Sequence, residues 1–295
     1  MSFAVRAEGL TVRYGRTTAL EDVTLELAPG TVHGLLGRNG SGKTTLLQTL
    51  AAFRRPSEGR VLVDGEDPWE NPRVTQGVCL VRESGDVLTD LRMRDNLAYY
   101  EGIRPHFDRE LAGRLMDTFE LDPARKPSKL SRGKKSAFGV VVGLASRAEL
   151  TIFDEVHLGM DAPSRFAFYD ALMADYVEHP RTIVLSSHLI DEVQRLLEGV
   201  VILDHGRVLL SEEAESLRAR GVSITGPRDA VEQLVEGRTV LRRQHLGRTT
   251  QVMLDGALST EERTQAERLG LETGPVDLQS LFVHLTERTT EGATR

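Results

Sequence analysis

Apolar residues along this chain fall in short bursts separated by polar turns. Val5–Tyr14, Thr24–Leu27 and Val32–Leu36 carry β-branched or apolar residues between turn signals, and each predicts a strand. A glycine-rich turn from Gly37 to Gly42 then leads into TTLLQTLAAF, whose apolar positions have helical spacing. Arg60–Val63 and Val78–Val81 predict two more strands. From Met93 to about Leu130 the texture turns helical, with Leu111, Leu115, Met116 and Phe119 on one face behind Asp108 as N-cap. Leu150–Phe153, Thr182–Ser186 and Val200–Leu203 return to short apolar strands, and Asp204-His205-Gly206 predicts a hairpin turn. Strands that are apolar throughout and alternate with helices suit an α/β fold with a mostly parallel sheet covered on both faces.

Beyond about residue 217 the pattern changes. Val222–Thr225 predicts a strand, Arg228–Val235 a helix, and Val240–Gln244 and Thr249–Leu254 two strands. Ser259–Leu269 predicts a helix, opened by Ser259 with Glu262 three residues on, the spacing of a capping box. Leu271–Val276 and Asp277–Thr286 predict a last strand and helix, before the polar tail TERTTEGATR. This βαββαβ order resembles a ferredoxin-like unit. The division expected is therefore residues 1–217, with a helical subdomain at about 84–135, and a small α/β domain over 218–295.

Two domains also agree with a length of 295 residues. Hydrophobic content of 40% and charged content of 27% place the chain among soluble globular proteins. A formal charge of −7 argues against a nucleic-acid partner, which calls for a basic field. The one cysteine, Cys79, lies in a predicted strand and is expected to be a buried, unreactive thiol. No apolar run reaches the roughly 18–20 residues that span a bilayer, and the start has no apolar core of a secretory signal. Any pore this chain serves must come from another polypeptide.

The chemistry begins at Gly37-Arg38-Asn39-Gly40-Ser41-Gly42-Lys43-Thr44, followed by Thr45. It fits G-x-x-x-x-G-K-[ST] directly after an apolar strand and before a helix, the context of a P-loop. Gly40 and Gly42 free the backbone N–H groups to curl around phosphate oxygens, and the helix starting near Lys43 adds its positive end. Lys43 is expected on the β- and γ-phosphates of ATP, and the Thr44 hydroxyl on Mg²⁺. About 110 residues later, Leu150-Thr-Ile-Phe-Asp154-Glu155 ends an apolar strand in two carboxylates. Asp154 is expected to hold Mg²⁺ through water, and Glu155 to polarise the water that attacks the γ-phosphate.

Leu130-Ser131-Arg132-Gly133-Lys134 resembles the signature of ATP-binding cassette (ABC) proteins, usually LSGGQ, and stands just upstream of Asp154 as in that family. The resemblance covers roughly residues 3–215. It implies that Ser131 and Gly133 contact the γ-phosphate of ATP held by an opposite subunit. It implies a D-loop at Gly159-Met160-Asp161, a switch histidine at His188 and an adenine-stacking aromatic at Tyr14. Family members of this kind work as homodimers or heterodimers beneath a separate integral membrane permease, often for export. The location implied is cytoplasmic, peripheral at the inner face of the cell membrane.

Four positions depart from the family pattern. Counting back from Leu91-Arg-Met-Arg-Asp-Asn-Leu97 places Glu83 where a Q-loop glutamine normally sits as a ligand near Mg²⁺. Arg132 and Lys134 replace Gly and Gln in the signature, two cations that would face a triphosphate. Val156 replaces the proline that often follows the catalytic glutamate. The function expected is that of an ATP-hydrolysing transport subunit. Its alternative, a soluble ABC ATPase acting on ribosomes or DNA, calls for two cassettes in one chain or a coiled-coil insertion between Lys43 and Ser131. The sequence has neither. A simple P-loop kinase or GTPase has no use for the signature.

Overall fold

The computed structural model describes residues 2–283. The chain divides into two compact units: Met1–Leu189 with Arg195–Ser211, and Ile190–Gln194 with the chain from Glu212 onward.

The first unit begins with β1 (Val5–Tyr14), β2 (Thr17–Leu27), β3 (Val32–Leu36) and α1 (Lys43–Leu50). Next come β4 (Glu58–Val63), α2 (Pro72–Gln76), β5 (Val78–Arg82), α3 (Met93–Ile103), α4 (Arg109–Thr118) and α5 (Arg132–Ala145). It finishes with β6 (Leu150–Asp154), α6 (Ala162–Glu178), β7 (Thr182–Ser187), β8 (Gly199–Asp204) and β9 (Arg207–Glu213). Six strands form one sheet in the order β5-β6-β7-β3-β8-β9, and the pairs from β5 through β8 are parallel. The parallel reading of these apolar strands holds. What the pattern did not separate is a second sheet, antiparallel and ordered β2-β1-β4, because Arg60–Val63 alone carries no pairing information.

A single core joins both sheets through α1: Leu46, Leu47 and Leu50 lie buried with Leu10 and Leu20 on one side and Leu150 and Ile152 on the other. Asp108 caps α4 as its sequence position predicts, its Oδ1 accepting from the Leu111 N–H at 2.7 Å. The turn after β8 uses His205 and Gly206 at φ 44° and 78°, two successive left-handed residues as a two-residue hairpin turn requires. Cys79 is buried in β5, where desolvation pushes its thiol above the ordinary range and keeps it unreactive.

Register decides where chemistry can occur. Asp154 is aligned with Ser186 and with Arg82, and Leu36 with Ser187. The carboxyl ends of β3, β5, β6 and β7 therefore finish at one edge, where open α/β sheets hold ligands.

The second unit contains α7 (Ile190–Val193), α8 (Ala214–Ala219), β10 (Gly221–Pro227), α9 (Arg228–Val235), β11 (Val240–Leu246), β12 (Thr249–Asp255), α10 (Thr260–Arg268) and β13 (Glu272–Pro275). Its sheet runs β11-β12-β10-β13 with every pair antiparallel. Ile224, Val252 and Leu254 form its core with Val231 and Leu234 of α9. The capping box of α10 is complete: the Ser259 N–H donates to Glu262 at 2.7 Å, and the Glu262 N–H to Ser259 Oγ at 3.2 Å. Gln194 belongs to this unit through the Leu278 N–H at 3.1 Å and the Arg218 guanidinium on its carbonyl. Residues 278–283 are helical, while the rest of the helix expected to Thr286, and the tail, lie outside the described residues.

Candidate functional site

The loop after β3 is shaped by glycine. Gly42 sits at φ 105°, and a Cβ there would come within 2.7 Å of the Ala19 carbonyl oxygen. No other residue type fits both demands. The loop thus delivers Lys43 to the first turn of α1, with its ammonium curled back over the loop: Nζ donates to the Gly37 carbonyl at 2.8 Å and to the Arg38 carbonyl at 3.2 Å. The same Nζ lies 3.0 Å from Glu155 Oε1.

Glu155 takes its position from an unusual backbone. It has φ 51° and ψ 29°, left-handed for a residue with a Cβ. Such strain persists where the surroundings enforce it, and it concentrates at functional sites. The twist turns the carboxylate toward Lys43 and toward His188, whose Nδ1 is 3.6 Å from Oε1. Nδ1 of His188 is sealed from solvent and makes no hydrogen bond among the described residues.

Asp154 is buried, at 4% exposure. Desolvation pushes its carboxyl above the ordinary aspartate range, and the Glu155 charge pushes the same way; hydrogen bonds from Ser186 and Thr44 and the Lys43 charge pull against them. Ser186 Oγ donates to Asp154 Oδ1 at 2.6 Å. Thr44 and Asp154 together offer one neutral and one anionic oxygen. That set suits Mg²⁺, which takes one or two protein oxygens and completes its shell with water and phosphate. A divalent cation beside Asp154 would also relieve the desolvation of its charge. Among the described residues no group of three or more His, Cys, Asp or Glu side chains forms a metal cage without a ligand's help.

Lys43, Thr44 and Glu155 face one cavity of about 640 Å³, lined also by Asn39, Gly40, Thr45, Glu83 and Leu158; Asp154 and His188 are not among its lining residues. Gly37, Arg38 and Ser41 complete the loop behind them, and the Ser41 hydroxyl is buried. Tyr14 stands at the rim. It is 42% exposed, its hydroxyl is 3.5 Å from Thr45 Oγ1, and the Arg54 guanidinium lies 3.9 Å from its ring centre. Sequence reasoning passed over Ser186, Ser187, His157, His205 and Gly206. Ser187 Oγ bonds His157 Nε2 at 3.2 Å and accepts from the Leu189 N–H at 2.9 Å, which ties the turn after Glu155 to the loop of His188. The Leu-Ser-Ser-His run carried that signal, since two hydroxyls at a strand end beside a carboxylate strand need partners. His205 and Gly206 reach the cavity only through tertiary folding.

Ser131 and Gly133 do not line this cavity. Ser131 caps α5, accepting from the Lys134 N–H at 3.3 Å, and is exposed. Gly133 is pressed against the Gly159 carbonyl so closely that a Cβ would collide with it. Ser136 Oγ donates to the Val156 carbonyl, so α5 is fastened to the segment that follows Glu155. Of the two signature cations, Lys134 is engaged within its own chain: Nζ donates to the Phe119 carbonyl at 2.6 Å and lies 3.4 Å from Glu120. Arg132 pairs with Glu83. The carboxylate of Glu83, expected near Mg²⁺, is thus shared with a guanidinium.

A family model described as ABC transporter matches residues 20–157. A daunorubicin resistance ATP-binding protein of Streptomyces coeruleorubidus is 31% identical over 223 residues, covering 73% of this chain and 70% of the relative. A daunorubicin/doxorubicin resistance ATP-binding protein of Streptomyces peucetius is 27% identical over 329 aligned residues, 98% of this chain and 96% of the relative. Among solved structures, a dimeric bacterial ABC transporter cassette superposes with a TM-score of 0.63 at 21% identity, covering 71% of this chain and 98% of that one. At such identity the superposition speaks for the fold alone. Sequence motifs, sheet-edge geometry and a relative at 31% identity agree: the chain belongs to the ABC transporter family, as an ATP-binding subunit.

Proposed function

We propose that this protein binds Mg-ATP at the Lys43–Asp154–Glu155 edge, hydrolyses it, and so drives a separate membrane permease. The observation that carries the reading is the meeting of Lys43 Nζ, Glu155 and His188 around one carboxylate oxygen, at 3.0 and 3.6 Å, beside the buried Asp154. Backbone N–H groups from Asn39 to Thr44 and the Lys43 ammonium bind the triphosphate. Thr44 and Asp154 hold Mg²⁺, which would supply charge neutralisation across the phosphates. Glu155 orients the attacking water and accepts its proton, and His188 fixes the Glu155 carboxylate and the terminal phosphate. Tyr14 stacks on adenine at the rim.

Two copies complete the machine. Ser131 and Gly133 sit outside their own cavity, on a surface of the same unit, which suits a contact with ATP held by a second subunit of the same or a related sequence. No helix among the described residues is long and apolar enough to cross a membrane, and the permease of this reading is a second polypeptide. A cavity of about 250 Å³ beside the Q-loop position, lined by Phe53, Cys79, Gly85, Asp86 and Tyr100, gives that partner an apolar foothold. Phe53 and Tyr99 stand exposed nearby. Export is the direction favoured, because the relatives above are named for drug resistance. The protein then works at the inner face of the cell membrane.

The test compares the unmutated chain with Glu155→Gln and Lys43→Ala. Glu155→Gln is expected to keep nucleotide affinity and lose about 10²–10⁴ in turnover, the range of general-base catalysis. Lys43→Ala is expected to lose most affinity in a calorimetric titration. Undiminished hydrolysis by Glu155→Gln removes Glu155 from the role of general base.

A further inference from the structure

Two of the three charged departures from the family pattern touch one another. Glu83 stands where a neutral glutamine is usual, and Arg132 where a glycine is usual. Their side chains form an ion pair. Glu83 is the more sheltered partner, 27% exposed against 71% for Arg132, and its Oε1 is sealed from solvent. The carboxylate also lines the cavity that holds Lys43 and Glu155. Arg132 reaches it from the first turn of α5, with its stem laid over Gly159, where a Cβ would approach the Arg132 Cγ at 3.1 Å.

The cavity's charges require such a partner. Glu155 and Glu83 both line it, and Lys43 already places its ammonium on Glu155 and two loop carbonyls. A ligand carrying three phosphates would meet an excess of negative charge at the Glu83 wall. Arg132 cancels it while remaining largely outside. A glutamine at residue 83 would need no cation, and a glycine at residue 132 would supply none, so neither change makes electrostatic sense without the other.

We propose that Arg132 is a positioning residue for nucleotide binding within its own subunit, acting through Glu83: it neutralises that carboxylate and so makes the wall of the site tolerant of a triphosphate. The inference rests on the assignment of Mg-ATP to this cavity and adds a function to a signature residue that does not itself line it. It is distinct from the reach of Ser131 and Gly133 toward a second subunit, because it operates in a single chain.

The experiment is a titration of Mg-ATP by calorimetry, at low and at high salt, on four forms of the full chain: unmutated, Arg132→Ala, Arg132→Lys, and Arg132→Ala with Glu83→Gln. Residue 132 is an exposed helix start, where alanine is well tolerated. Arg132→Ala is expected to weaken binding about three- to thirty-fold at low salt, the effect of one uncompensated charge several ångströms from the phosphates. The deficit should shrink as ionic strength rises. Arg132→Lys keeps the charge and should recover most of the affinity, and so should the double variant, which removes the carboxylate's charge. A mere tether between the two loops would leave the double variant as weak as the single one, and that result overturns the proposal. Unaltered affinity in Arg132→Ala overturns it equally. Absence of Mg-ATP binding by the unmutated chain is a different result, and it sinks the site assignment together with the inference.

Discussion

At the scale of single residues the site pits burial against charge, and Asp154 feels it most. Its carboxyl titrates above the ordinary value, chiefly from desolvation. The native protein thus holds that proton more tightly than the unfolded chain, whose aspartates titrate near 3.8. Stability contributed by this group is therefore lost as pH rises from 3.8 through the raised native value, and at neutral pH the ionised carboxylate is a cost. Asp154→Asn is expected to raise the melting temperature at pH 7 in metal-free buffer and to abolish further stabilisation by Mg-ATP. A lower melting temperature, or unimpaired stabilisation by Mg-ATP, contradicts the assignment. Most of this site was legible, because Lys43, Thr44, Asp154 and Glu155 come in motifs whose spacing is dictated by phosphate and metal geometry. Ser186 was read only as a strand end, although its hydroxyl holds Asp154 at 2.6 Å, since the pairing depends on the register of β6 against β7. The Glu83–Arg132 pair escaped for the same reason: 49 residues separate its members along the chain.

Among elements, α5 decides how the signature relates to the chemistry. Its first turn is pressed onto Gly159, and Ser136 fastens it to Val156, the residue after Glu155. The signature turn and the segment after Glu155 are therefore fastened to one another. Gly133→Ala introduces a Cβ against the Gly159 carbonyl and should cost about 1–3 kcal/mol, the usual penalty of overpacking. Turnover should fall while Mg-ATP affinity in the single subunit stays near that of the unmutated chain, because Gly133 lies outside the cavity. A thermal melt and an ATPase assay read the two effects, and a variant that is normal in both shows the contact to be slack. Here the sequence was readable for element type: the α4 cap at Asp108 and the α10 box at Ser259 and Glu262 both follow from local hydrogen bonding. Tertiary pairing was less so: β2 follows β1 directly, but the β2-β1-β4 sheet also needed β1 to pair with β4, beyond β3 and α1.

For the whole molecule, the composition shift near residue 217 points to a change of fold, but the division of the chain is more entangled. Residues 190–194 belong with the chain beyond Glu212, and they begin two residues after His188. Ile190 and Val193 are each 1% exposed, and Gln194 is held by Leu278 and Arg218. A four-residue helix leaves no periodic signature, so this excursion could not be read from the sequence. Truncation after Ser211 strips these partners away. The shortened chain is expected to retain Mg-ATP binding, because Lys43, Thr44 and Asp154 all lie in the first unit, and to lose turnover as the loop of His188 loosens. Equal kcat in both forms contradicts that coupling. The central claim, an ATPase site completed by a second copy, is tested most directly by mixing two defective subunits. Lys43→Ala ruins the phosphate loop, and Ser131→Arg obstructs the signature; each alone should be nearly inactive. In a mixed dimer both lesions fall in one site, and the other site joins an intact loop to an intact signature. ATPase activity measured against mixing ratio, with exchange verified by differently tagged subunits, should rise well above either mutant and peak near equal proportions. Mixed dimers that show only the average of the two mutant rates contradict the shared site.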